Sequence, residues 1–207
     1  MSNDNNTPRY EFRAFAQSFG LVEQRIRAAA TCSEFVHETL DTYIVTRAVD
    51  STNIKIRDDA LDVKVLVAEK QRFEQWAPSC KAEFPIDAAL LREELFRPLQ
   101  VDVPEMNRDS YTMSALLDEL IWPRLDMRIA RVFKRRLHFT IDDVMTEIGH
   151  LQINGAAIAT VAVESSDLDA AVGLRDRLGL GAYENVNYVV ALQRTMGLAR
   201  LPNMVLG

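Results

Sequence analysis

Strict alternation of apolar and charged residues in two neighbouring segments constrains this chain more than any other feature. In Asn53-Ile54-Lys55-Ile56-Arg57 the isoleucines alternate with Asn53, Lys55 and Arg57. In Asp62-Val63-Lys64-Val65-Leu66-Val67 the residues Val63, Val65 and Val67 alternate with Asp62 and Lys64. A period of two places successive side chains on opposite faces of a β-strand, here one apolar and one charged. The gap Asp58-Asp59-Ala60-Leu61 is short enough for a hairpin. Two neighbouring strands therefore present cations on one side. That side is either an ordinary wet sheet surface or the lining of an anion-binding barrel.

The strand signal recurs along the chain. Tyr10 to Phe15, Thr39 to Val49, Asp126 to Phe139, Asp142 to Ile153 and Ala156 to Glu164 read as strands, with a turn signal at Asn154-Gly155. Phe73 to Phe84 mixes strand with turn, broken by Pro78. Helical spacing marks 17–30, 87–98, 111–122 and 185–196. A further helix starts after Ser165-Ser166-Asp167 and is closed by Gly179. Strands dominate without regular strand–helix winding. The expectation is an antiparallel α+β fold in one domain over 1–207, with residues 1–8 frayed.

Composition narrows the function classes. At 48% hydrophobic residues the chain can bury a real core. Its net charge of -6 argues against broad binding to nucleic acid or anionic membrane, which makes a local cluster of cations more notable. Two cysteines, Cys32 and Cys80, make neither a disulfide framework nor a metal cluster. The start of the chain lacks an apolar signal core, so a reducing cytoplasm is the expected location. No apolar run reaches the roughly 18 residues of a membrane span.

Side-chain parity extends the charged faces. Arg9, Glu11 and Arg13 share one face, as do Lys134, Arg136 and His138. Glu147 falls with Gly149, and Glu164 with Thr160 and Ala162. If these faces all point inward, the interior holds cations from at least four strands together with Glu11, Glu147 and Glu164. An empty interior of that kind is costly, because buried charges need partners. A phosphorylated anion with a divalent metal removes the difficulty. Phosphate oxygens accept from Lys and Arg, and carboxylates hold Mg²⁺ or Mn²⁺.

The ordered set resembles the CYTH superfamily, also called triphosphate tunnel metalloenzymes. Arg9 to Arg13 (RYEFR) is similar to its Glu-x-Glu-x-Lys signature, with Arg9 at the first acid and Arg13 at the Lys. Asn53 to Arg57 (NIKIR), Leu61 to Lys64 (LDVK) and Phe133 to Arg136 (FKRR) resemble its basic strands. Thr146 to Gly149 (TEIG) and Thr160 to Ser165 (TVAVES) resemble its acidic ones, with Ala162 in place of one Glu. The resemblance implies a closed antiparallel eight-stranded barrel with flanking helices. It implies phosphate binding by Arg13, Lys55, Arg57, Lys64, Lys134 and Arg136, and Mg²⁺ or Mn²⁺ held by Glu11, Glu147 and Glu164. An active member would be a metal-dependent hydrolase of triphosphates. Arg9 and Ala162 leave the acidic half incomplete, so the resemblance implies phosphate binding more firmly than catalysis.

Blander explanations exist for each residue. Lys55, Arg57 and Lys64 fit a solvated sheet face. Lys134 and Arg136 fit a charge run with Arg131 and Arg135. Glu164 fits a helix start, and Glu11 with Arg13 a surface cross-strand pair. Three functions are therefore expected in turn: a triphosphate-binding protein that hydrolyses its ligand, a polyanion binder that has lost metal competence, and an interaction module. In the last, outer helices such as 87–98 would serve a partner or a homodimer.

Overall fold

A computed structural model describes residues 8–30 and 35–198. Residues 1–7 of the expected frayed start and Cys32 lie outside the described residues. In chain order the elements are β1 (Tyr10–Ala16), α1 (Leu21–Ala29), β2 (Phe35–Thr46), β3 (Thr52–Arg57), β4 (Ala60–Lys70), β5 (Phe73–Glu83) and β6 (Ile86–Asp87). There follow α2 (Ala88–Leu91, widening to a π-helix over Arg92–Phe96), β7 (Ser110–Tyr111) and α3 (Met113–Ala115, widening over Leu116–Ile121). The chain continues with β8 (Met127–Ile141), β9 (Val144–Ile153), β10 (Ala156–Ser165), α4 (Leu168–Leu178) and α5 (Tyr188–Thr195).

Eight strands close into an antiparallel barrel in the order β1-β10-β9-β8-β2-β3-β4-β5, while β6 and β7 form a separate two-stranded ribbon. Closure removes the unpaired edges that an open sheet would leave. The hairpin foreseen around Lys55 is β3 with β4, and its register sets Lys55 opposite Asp62. Its loop is tighter than the four residues the alternation suggested, because Ala60 and Leu61 already belong to β4. Pro78 does not break β5 but lies exposed within it. A strand admits proline where the missing N–H is not needed by the ladder. The last helix starts at Tyr188 rather than Asn185.

The chain divides into two compact units. The first comprises Met1–Thr39, Leu66–Ala77 and Phe133–Asn187. Its core joins Phe12 and Ala14 of β1, Leu137 and Phe139 of β8, Ile148 of β9 and Val161 and Val163 of β10 to Val22 and Ile26 of α1 and Leu174 of α4. The second comprises Leu40–Val65, Pro78–Val132 and Tyr188–Gly207. Its core joins Ile44, Ile54, Ile56, Leu61 and Val63 to Leu91, Leu95, Leu116 and Leu120 of the two widened helices. Among the described residues no helix is long and apolar enough to cross a membrane.

Candidate functional site

In each unit the helices cover one face of the strands, and the alternate residues fall on the other. In the first unit that second face carries Glu11, Arg13, Lys134, Arg136, His138, Glu147, Thr160, Ala162 and Glu164. Arg13 is its hub. The side chain is buried, and its Nε donates to Glu11 Oε1 at 2.8 Å while its Nη1 donates to Glu147 Oε1 at 2.8 Å. Nη1 also lies 3.4 Å from Thr160 Oγ1, whose hydroxyl donates to the Ala14 carbonyl at 2.8 Å. The Arg13 backbone is held as firmly. Its N–H donates to Asn185 Oδ1 at 2.7 Å, and its carbonyl accepts from the Val186 N–H at 2.7 Å.

Glu147 is buried and faces three cationic or titratable groups. Its Oε2 lies 3.7 Å from Arg136 Nη1 and 3.9 Å from His138 Nε2. Burial pushes its carboxyl up, but the charge and hydrogen bond of Arg13, followed by Arg136 and His138, outweigh burial and hold it below the usual carboxylate range. Arg136 is less well served than Arg13. Its Nε is buried without a hydrogen-bond partner. Lys134, two residues along the same face, is 2% exposed, whereas Arg131 and Arg135 are exposed on β8.

Carboxylates stand in a row across three strands of this unit. Glu164 of β10 is opposite Glu11 of β1, which is opposite Glu74 of β5. Glu74 accepts from Trp76 Nε1 at 2.9 Å and Asn187 Nδ2 at 3.1 Å. Burial pushes its carboxyl up; those two bonds oppose the shift, and Glu11 and Glu69 reinforce it.

The second unit has its own charged face. Arg57 grips Asp41 with two parallel bonds, Nε to Oδ1 at 2.7 Å and Nη2 to Oδ2 at 2.5 Å. Asp41 is fully buried. Lys55 is also buried and lies 2.8 Å from Asp62 Oδ2. Burial pushes its ammonium down; Asp62 counters this, while Arg57 and Lys64 push it further down. Lys64 is half-buried and has no carboxylate at ion-pair distance among the described residues.

The structure thus brings Arg13, Arg136, Glu11 and Glu147 together, and separately Lys55, Arg57 and Lys64. The carboxylates foreseen as metal ligands are all engaged by arginines. Glu11 and Glu147 take Arg13, and Glu164 lies 3.5 Å from Arg9. Among the described residues no three His, Cys, Asp or Glu side chains form a group able to hold a metal ion. Ala162, between Arg13 and Glu147 in register, contributes no oxygen. The donor set does not fit a protein-held Mg²⁺ or Mn²⁺. Sequence reasoning missed Asp41, the single acid of a segment read for its β-branched and aromatic residues, and Glu74, which lies in a segment read as strand mixed with turn. It also missed Thr160 as a support for Arg13.

No protein-family model matches the chain, and no curated protein matches it. Solved structures do. HpAC1 from Hippeastrum, in which a triphosphatase activity dominates, is 13% identical with a TM-score of 0.49, over 94% of this chain and 98% of its own. The PH1012 protein of Pyrococcus horikoshii is 15% identical with a TM-score of 0.46, over 87% of this chain and 97% of its own. These are likenesses of fold. The closed antiparallel eight-stranded barrel is the architecture that the resemblance of the strand motifs implied.

Proposed function

We propose that the protein binds a triphosphate or another phosphorylated organic anion on the polar strand face of its first unit, without a protein-held metal. The observation that carries this reading is Arg136. A guanidinium N–H buried without a partner costs about 1–3 kcal/mol. A phosphate oxygen supplies the missing acceptor, and a guanidinium takes two such oxygens in parallel. Lys134, buried on the same face, adds a second positive charge to the site. Binding rather than hydrolysis is favoured because Glu11, Glu147 and Glu164 are committed to arginines. A divalent ion enters this reading only as the counter-ion of the phosphate chain.

Thermal unfolding with tripolyphosphate and with ATP, each with excess chelator and with Mg²⁺, tests the proposal. The expected result is a raised melting temperature that survives the chelator and is lost in Arg136→Ala. Absence of a shift with every phosphate compound overturns the proposal. Phosphate release that requires Mg²⁺ or Mn²⁺ replaces it with the hydrolase.

A further inference from the structure

We infer that Glu147 is an internal stand-in for the ligand: its carboxylate occupies the place between Arg13 and Arg136 that a phosphoryl group takes on binding, so an anion enters only by displacing it. This rests on the binding reading above. Glu147 uses its two oxygens separately. Oε1 accepts from Arg13 Nη1 at 2.8 Å, and Oε2 faces Arg136 Nη1 at 3.7 Å and His138 Nε2 at 3.9 Å. Bridging two guanidinium groups with two oxygens is how a phosphoryl group would sit.

The substitution is imperfect, and the imperfection has a direction. The bond to Arg13 is short and aligned, whereas Arg136 is held only as a loose ion pair and keeps its buried Nε without an acceptor. A planar carboxylate with one charge cannot saturate both guanidiniums. A terminal phosphoryl group, with three oxygens and close to two charges near neutral pH, can. Arg13 does not swing freely to meet a ligand, since Glu11 holds its Nε and Thr160 braces its Nη1. The element that yields is therefore the Glu147 side chain. The consequence is selectivity. Anions with one weak charge do not dislodge Glu147, and ligands ending in a phosphoryl group do.

Isothermal titration of the full chain in chelator, with tripolyphosphate, ATP and inorganic phosphate, tests the inference on wild type and Glu147→Gln. The variant keeps the shape of the side chain and removes its charge. The expected result is at least tenfold tighter tripolyphosphate binding in Glu147→Gln, with inorganic phosphate, itself close to doubly charged, tightened in the same direction. Comparison of ATP with tripolyphosphate separates an organic from an inorganic ligand. Unliganded Glu147→Gln melts lower than wild type, because Arg13 loses its counter-ion, yet its ligand-induced rise is larger. If the variant does not fold, Glu147→Asp, which withdraws the carboxylate from both arginines, shows a smaller gain of the same sign. Equal or weaker binding in the variants, beside intact wild-type binding, overturns the inference and leaves the binding reading standing. Absence of binding by wild type and variants alike overturns both.

Discussion

Arg13 is placed by a residue with no side chain. Gly149 lies opposite Thr160 in the β9–β10 ladder, and a Cβ built on Gly149 would sit 2.6 Å from Thr160 Cγ2. Thr160 is stiff at χ1, so it escapes that clash only by rotating its hydroxyl away from the Ala14 carbonyl and from Arg13. Gly149→Ala is expected to cost about 1–3 kcal/mol in urea unfolding. Gly149→Ala with Thr160→Ser removes the clashing methyl, keeps the hydroxyl and recovers most of the loss. Equal destabilisation of both variants would refute the steric account. None of this was legible in the sequence, where Gly149 only completed a TEIG motif. What alternation does disclose is which side chains share a face within one strand: Arg13 with Glu11, Arg136 with Lys134 and Glu147 with Gly149. What it hides is register. Asp41 meets Arg57 because Thr42 pairs with Ile56, and the register of β2 on β3 is not written in the alternation of either segment.

At the scale of elements, the tight connections decide how well the strands could be foreseen. Consecutive residues take positive φ at Asp58-Asp59, Gln71-Arg72, Asp142-Asp143 and Asn154-Gly155, the geometry of two-residue hairpin turns whose twist matches that of the strands. Asn154-Gly155 announces itself by residue type, because glycine and asparagine tolerate that conformation, and Asp58-Asp59 by the short gap between two alternating segments. Gln71-Arg72 carries no turn chemistry and is held from outside. Arg72 donates through Nη1 to the Gly181 carbonyl at 3.0 Å and through Nη2 to the Tyr183 carbonyl, and its guanidinium lies over the Phe12 ring. The widened helical turns at Arg92–Phe96 and Leu116–Ile121 were likewise invisible to a search for a period of 3.6. The turn at Asp59 offers a direct measurement. Asp59 is exposed at φ 56°, a conformation that disfavours side chains by about 1–2 kcal/mol. Asp59→Gly relieves this at the expense of a more flexible unfolded chain, so a net gain of about 0.5–1 kcal/mol is expected in chemical unfolding. A loss of stability would mean that the carboxylate supports the turn.

For the molecule as a whole, alternation alone led to an antiparallel α+β fold, and it was the family resemblance of the ordered strand motifs that implied a closed barrel. The division into two units was not foreseen, because no linker composition marks it. Nor was the balance of charge within each polar face, which depends on register and not on composition. A chain of net charge -6 nevertheless buries Arg13, Lys55 and Lys134, and it tolerates them by supplying Glu147 to Arg13 and Asp62 to Lys55. That balance ties stability to pH through His138 and Glu147. Burial pushes the His138 imidazole below its ordinary 6.5; Glu147 opposes the shift, and Arg136, His37 and Arg13 add to it. Acidification therefore protonates His138 in the unfolded chain first. Stability is intact above about pH 6.5 and falls as the pH drops from there towards the folded-state value. Glu147 is held below its ordinary 4.5, so what it contributes is present above that value and lost as the pH falls through its lower folded-state value. Two successive losses are expected in urea midpoints taken at about pH 8, pH 5.5 and pH 3.5. His138→Gln removes the first and keeps the second, whereas Glu147→Gln flattens the second. A first drop that persists undiminished in His138→Gln would assign it to a group outside the Arg13–Glu147–Arg136 face.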